Sequence, residues 1–171
     1  MPNPQKHLPS KLTLLRHAKS SWTDSGATDH DRTLNARGRR DAPEMARRLA
    51  ERGLAFDHIL CSTAQRTRET ADLMLPILGA DRDNLQFESR IYEASISDLL
   101  SVVTSGFAGS VLLIGHNPGL EGLCEMLCPG CVPGMPTCAV ASFEVGTSGT
   151  ATGESIDASV NLAFYDFPKN L

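Results

Sequence analysis

Short apolar runs alternate along the chain with stretches in which apolar residues recur every three or four positions. Leu12, Leu14 and Leu15 form the first run, which predicts a buried strand that stops at Arg16-His17. Residues 19–35 are polar and turn-rich. Ala42, Met45, Ala46, Leu49 and Ala50 then follow at helical spacing until Gly53 ends the pattern. Pro43 suits a helix's first turn better than its interior, which leaves the start of this helix open by several residues. A second run, 58–61, predicts another strand. Ser62-Thr63-Ala64-Gln65 has the spacing of a capping box that opens a helix running to about Leu78, with Arg66 in its first turn.

Further along, 85–89 reads as a weak strand and 97–104 as a short helix. The apolar strand 111–114 runs into Gly115-His116-Asn117-Pro118, and a helix over 120–127 follows. Residues 139–145 and 160–167 are rich in strand formers and are expected at the sheet edge, one or both antiparallel, with a Gly/Ser/Thr-rich loop over 146–159 between them. Strands alternating with helices, and no internal repeat, give an α/β three-layer sandwich with a mostly parallel central sheet. The 171 residues read as one domain, of which 1–10, with three prolines and no periodicity, form a flexible N-terminal tail.

Composition narrows the function. The chain is 41% hydrophobic and 21% charged with a formal net charge of -4, which argues against a polyanion-binding surface and so against nucleic acid. No stretch approaches the roughly 20 apolar residues of a spanning helix, and the opening MPNPQKHLPSK lacks a signal peptide's apolar core, so no membrane partner and a cytoplasmic location are expected. Five cysteines, an odd number, are read as reduced thiols. Arg37, Arg39, Arg40, Arg47 and Arg48 are interleaved with Asp41, Glu44 and Glu51, the pattern of a solvated helix face.

The candidate chemistry lies where three of the predicted strands end. Arg16-His17, Ser62 to Arg66, and Gly115-His116-Asn117 each follow an apolar run directly, and ligands in open α/β sheets sit outside the carboxyl ends of the strands. Together these clusters bring two imidazoles, two guanidiniums and a helix amino terminus. Arginine pairs bidentately with phosphate oxygens and helix termini attract anions, so the set matches a phosphoryl group. A neutral histidine can attack phosphorus in line, and His17, fixed at a strand end, is the better nucleophile candidate. Taken singly, His116 also fits a turn cap and Arg66 a solvated helix arginine. The three motifs in order are what carry the reading.

Leu15-Arg16-His17-Ala18, with Ser62-Thr63-Ala64-Gln65-Arg66-Thr67 and Gly115-His116-Asn117-Pro118-Gly119, resembles the histidine phosphatase superfamily over about residues 11–145. Ala18, Lys19-Ser20, and Leu34-Asn35 followed by Gly38 resemble its SixA-type phosphohistidine phosphatases. The resemblance implies a phosphoglycerate mutase-like fold and transient phosphorylation of His17. It also implies phosphoryl-oxygen binding by Arg16, Arg66 and His116, release of phosphate by water, and neither metal nor other cofactor.

The general acid is ambiguous. Glu93, in Arg90-Ile91-Tyr92-Glu93-Ala94-Ser95, is the candidate, with a solvated loop residue as the alternative, and Asp24 is a poorer choice. Ser20 is read as a turn residue rather than a phosphate ligand. Without an acid, the imidazole of a phosphoramidate still leaves readily while an alkoxide does not, which favours phosphohistidine on a partner protein as substrate. The alternatives are a small-molecule phosphomonoesterase in the same pocket and a non-catalytic phosphate-binding module. Cys124, Cys128 and Cys131 have a spacing seen around iron-sulfur clusters, but their place on or beside a helix favours plain thiols; no role is read for Cys138.

Overall fold

A computed structural model describes residues 6–146, 150–152 and 155–169. Its main sheet has six strands. Chain order gives β1 (Lys6–His7), β2 (Lys11–Arg16), α1 (Ala36–Glu51), β3 (His58–Cys61), α2 (Gln65–Leu78), β4 (Leu85–Phe87), α3 (Ile96–Val103), β5 (Ser110–Gly115) and α4 (Gly119–Leu127). After these come β6 (Val140–Val145), β7 (Thr150–Thr152), β8 (Ser155–Asp157) and β9 (Val160–Asp166). The main sheet runs β4-β3-β5-β2-β6-β9. Its first four strands are parallel, while β6 is antiparallel to β2 and β9 antiparallel to β6.

The sheet is buried on both faces, which is why its central strands read as continuous apolar runs rather than alternating ones. On one face Leu12, Leu14, Leu60, Leu113 and Phe143 pack with Leu99, Val103, Leu120 and Leu123 of α3 and α4. On the other, Leu15, Ile59, Leu112, Ile114 and Val140 pack with Met45, Leu49, Met74 and Leu75 of α1 and α2. Helix, sheet and helix thus make the three layers that the alternating pattern predicts.

The structure departs from the expected pattern at six points. Helix α1 starts at Ala36, capped by the Asn35 side chain on the Gly38 amide, so Pro43 lies well inside it. Packing of Ala42, Met45, Ala46 and Leu49 carries the helix through the missing amide donor. Ser62 makes no capping box: the N-cap of α2 is Ala64, without a side-chain bond, because the Ser62 hydroxyl turns to His116. Of the two late strands expected at the edge, β9 alone is there, since β6 lies between β2 and β9. The stretch 146–159 is not all loop, because β7 and β8 pair antiparallel within it, and β1 pairs antiparallel with β7. The expected tail therefore gives way at Lys6, with Leu8 already in the core; residues 1–5 lie outside the described residues.

The thiols are the sixth departure. Cys128 and Cys131 form a disulfide across the turn that ends α4, where the Cys131 amide donates to the Cys128 carbonyl at 3.1 Å and the two Cα atoms stand 5.5 Å apart. Cys61, Cys124 and Cys138 are free and buried, and burial pushes each thiol up to about 12. Thiols held protonated in this way are poor nucleophiles and poor ligands. Among the described residues no three His, Cys, Asp or Glu are grouped to hold a metal, and no helix is long and apolar enough to cross a membrane.

Candidate active site

Strands β2, β3 and β5 are neighbours in the sheet, and each ends in one of the three polar motifs. The register pairs Arg16 with Gly115 and Cys61 with Ile114, so all three loops leave the sheet at one level. His17, Arg66 and His116 are thereby brought together, although they are far apart in sequence.

His17 is 6% exposed, and its Nδ1 lies 2.7 Å from the Ala18 carbonyl oxygen. A carbonyl only accepts, so Nδ1 carries the proton and Nε2 keeps its lone pair. The Arg66 Nε–H donates to that nitrogen at 3.3 Å. Burial first, then the charges of Arg66, Arg16 and Arg32, push the His17 pKa down to about 3, so the ring is neutral across the physiological range. A neutral imidazole with a fixed tautomer and an in-plane lone pair on Nε2 has the electron pair that a nitrogen nucleophile needs.

The His116 ring lies 5.2 Å from that of His17. Its Nε2 pairs with Ser62 Oγ at 2.7 Å, while Nδ1 is buried without a protein partner. Burial, followed by the neighbouring His17 and Arg66, lowers its pKa to about 3 as well. Arg16 donates through Nη1 to the Met135 carbonyl at 2.9 Å, and its buried Nε has no protein partner. These unpaired buried nitrogens, arranged about the neutral His17 ring, are suited to the oxygens of a tetrahedral anion.

Arg66, 5% exposed, is held from behind. Its Nη1 donates to the Asp29 carbonyl at 2.7 Å, and its Nη2 meets the Asp29 carboxylate at 3.2 Å. Tyr92 Oη donates to the same carboxylate at 2.7 Å. Asp29 is thereby held below the usual carboxylate range, by the Tyr92 hydrogen bond first and by Arg66 and Arg32, so it stays ionised. Asp29, Tyr92 and Met135 carry no periodicity or motif in the sequence and were not legible there. Ser62 was, but its hydroxyl was read as a helix cap.

An open cavity of about 580 Å³ lies against Arg66 and His116 of this group, lined also by Asp29, Tyr92, Glu93 and Asn117 among others, with His17 and Arg16 outside its lining. Glu93 thus stands at the mouth of the site with two of the other predicted residues. It is exposed and makes no hydrogen bond among the described residues, and it adopts a left-handed backbone with φ 53°. Asp24 is exposed and accepts from the Gly26 amide in a local turn, away from this group. Ser20 is buried at 4% exposure and bridges to Leu34, rather than standing in solvent.

Comparison with known proteins agrees with this geometry. The chain is 32% identical over 152 residues to an uncharacterized chloroplastic protein of Arabidopsis thaliana, spanning 83% of this chain and 69% of that one. A SixA protein of Agrobacterium tumefaciens, assigned to the phosphohistidine phosphatases, superposes with a TM-score of 0.78 at 29% identity, over 94% of this chain and 99% of its own. A mycobacterial glucosyl-3-phosphoglycerate phosphatase shares the fold at 17% identity, with a TM-score of 0.63 over 94% of this chain and all of its own. The sequence profile of the histidine phosphatase superfamily (branch 1) matches residues 12–101, which include Arg16, His17 and Arg66. With that match over more than half its length, the chain belongs to the histidine phosphatase superfamily, in its SixA-type group.

Proposed function

We propose that the protein hydrolyses phosphohistidine on a partner protein through a phospho-His17 intermediate. The observation that carries this is the His17 ring, neutral and with its Nε2 lone pair fixed against the Arg66 guanidinium by the Nδ1–H bond to Ala18. In the first step Nε2 attacks phosphorus as the bond to the leaving imidazole nitrogen breaks, and that nitrogen keeps the electron pair. Arg16 and Arg66 neutralise the equatorial oxygens, with His116 as a further donor. The Nδ1–H stays on the ring, and its hydrogen bond to the Ala18 carbonyl stabilises the positive charge that the His17 ring acquires on phosphorylation. In the second step water attacks phosphorus, phosphate departs and Nε2 recovers its pair.

The acid inventory supports the phosphoramidate. Asp29 is ionised, and Glu93 is exposed and unpartnered, so neither is set up as a buried proton donor. An imidazole leaving group accepts its proton readily, and an alkoxide does not. The openness of the cavity suits a residue presented on a protein surface, and the SixA protein of Agrobacterium is assigned this substrate class.

A small-molecule phosphomonoesterase is the second reading, and one observation favours it. Glu93 lines the same cavity in a strained left-handed conformation, the kind of strain that gathers at functional sites. A side-by-side assay of a phosphohistidine protein and an alkyl phosphoester decides between the two. The expected result is rapid turnover of phosphohistidine, almost unchanged in Glu93→Gln and absent in folded His17→Ala. Efficient ester cleavage that collapses in Glu93→Gln would transfer the assignment to the esterase, and full activity in His17→Ala would remove the nucleophile.

A further inference from the structure

One arginine near the site is unused by the reading above. Arg32 lies on the polar arm between β2 and α1, and its side chain is only 11% exposed. Both its Nε and its Nη1 are buried without a hydrogen-bond partner. Its nearest acid is Asp29, whose Oδ1 stands 3.4 Å from Nε, but the other oxygen of that carboxylate is already shared by Tyr92 and Arg66. Two guanidiniums thus face one carboxylate, and Arg16 adds a third positive charge with its own unpaired nitrogen. A buried cation with idle donors is costly unless an anion completes it.

The outer face of this guanidinium is covered. Trp22 is 73% exposed, yet the Arg32 guanidinium lies over its ring, with Cζ 3.4 Å from the ring centroid. A tryptophan placed in solvent buries little apolar surface of its own. Its evident use is to hold the guanidinium plane, which a stacked aromatic does while leaving the N–H edges free. The arm that carries both residues is itself fixed, by the Ser20 to Leu34 bridge and by the Ser21 amide on the Thr33 carbonyl at 2.8 Å. Arg32 is also close enough that its charge acts on His17.

We infer that Arg32 is a third arginine of the phosphoryl site, binding an oxygen of the transferring group with its Nε and Nη edge, and that Trp22 clamps it for that task. The assignment rests on the phosphoryl-binding reading of the pocket but not on phosphohistidine as the substrate. It divides the arginines by function: Arg66 is bound to Asp29 and His17, whereas Arg32 keeps donors in reserve for the ligand.

The test is equilibrium binding of orthovanadate, with inorganic phosphate as a second probe, by calorimetry on the full chain. Arg32→Gln should weaken both anions about tenfold or more, as loss of a charge-assisted pair does, while the unliganded melting temperature changes little. Arg32→Lys keeps the charge without the fork and should recover only part of the affinity, which also serves if the glutamine variant folds poorly. Trp22→Ala should weaken vanadate in the wild-type background and add nothing in the Arg32→Gln background, a coupling that a purely structural stack would not give. Unchanged anion affinity in folded Arg32→Gln, or no anion binding by the wild type, would overturn the inference. Loss of vanadate binding in Arg32→Gln together with a wild type inert on phosphohistidine would instead keep Arg32 and discard the substrate.

Discussion

The proton on His17 Nδ1 decides much of the chemistry, because it leaves Nε2 as the basic nitrogen and points it at Arg66. Three of the five N–H donors of Arg66 are engaged, Nε by His17 and one on each Nη by Asp29, and this planar geometry cannot be copied by an ammonium. Arg66→Lys should therefore cost about 2 kcal/mol or more in kcat/KM, roughly thirtyfold, with the fold retained. Kinetics within a factor of about two of wild type would contradict this role. The two histidines also make stability depend on pH. Folded His17 and His116 titrate at about 3, whereas an unfolded histidine titrates near 6.5. The unfolded chain binds more protons between those values, so stability is complete above 6.5, falls as pH drops toward 3, and levels off below. Urea midpoints taken from about pH 7.5 to 4.5, above most carboxylate titration, should decline, and His116→Gln should flatten that decline by one histidine's share. An unaltered slope would mean that His116 is not held neutral.

The site exists because three adjacent parallel strands, β2, β5 and β3, stop together and hand the chain to polar loops. That much could be read from the sequence, since a strand buried on both faces appears as an unbroken apolar run such as Val111 to Ile114, and the residues after it are conspicuous. The arm over 19–35 could not be read in this way. Asp29 and Arg32 sit in a stretch with no period, and their contacts span from 3 to 63 residues along the chain. Its placement depends on one close approach: a Cβ on Gly38, in the first turn of α1, would collide with the Lys19 carbonyl oxygen and come within 3.0 Å of the Lys19 amide. Lys19 cannot retreat freely, because its carbonyl accepts the Asn35 amide at 2.9 Å and it lies two residues from His17. Gly38→Ala should therefore destabilise the protein by about 1–3 kcal/mol and also lower kcat/KM, since the displaced arm carries Asp29. A variant as stable and active as wild type, by urea midpoint and steady-state rate, would show that the arm is not held there.

Layer order, strand direction and the position of the cleft follow from the alternation of runs and helices. The small second sheet does not. Residues 146–159 are too rich in glycine, serine and threonine to show a strand period, and Lys6–His7 is a two-residue strand that no window can detect. Only their pairing in three dimensions reveals them, with Lys6 beside Ala151 and His7 beside Thr150. An exposed ladder of backbone donors and acceptors is a template for another chain, and β1 covers that ladder on the outer side of β7. Lys6–His7 thus leave this sheet a two-residue outer edge bearing a lysine in place of the edge of β7, which is expected to resist pairing with another chain. A shortened chain beginning at Lys11 would bare this ladder and remove Leu8 from the core beneath it. In sedimentation experiments it should form larger species as concentration rises, while the full chain keeps its size. A shortened chain that stays the same size at every concentration would show that the ladder is protected by some other means.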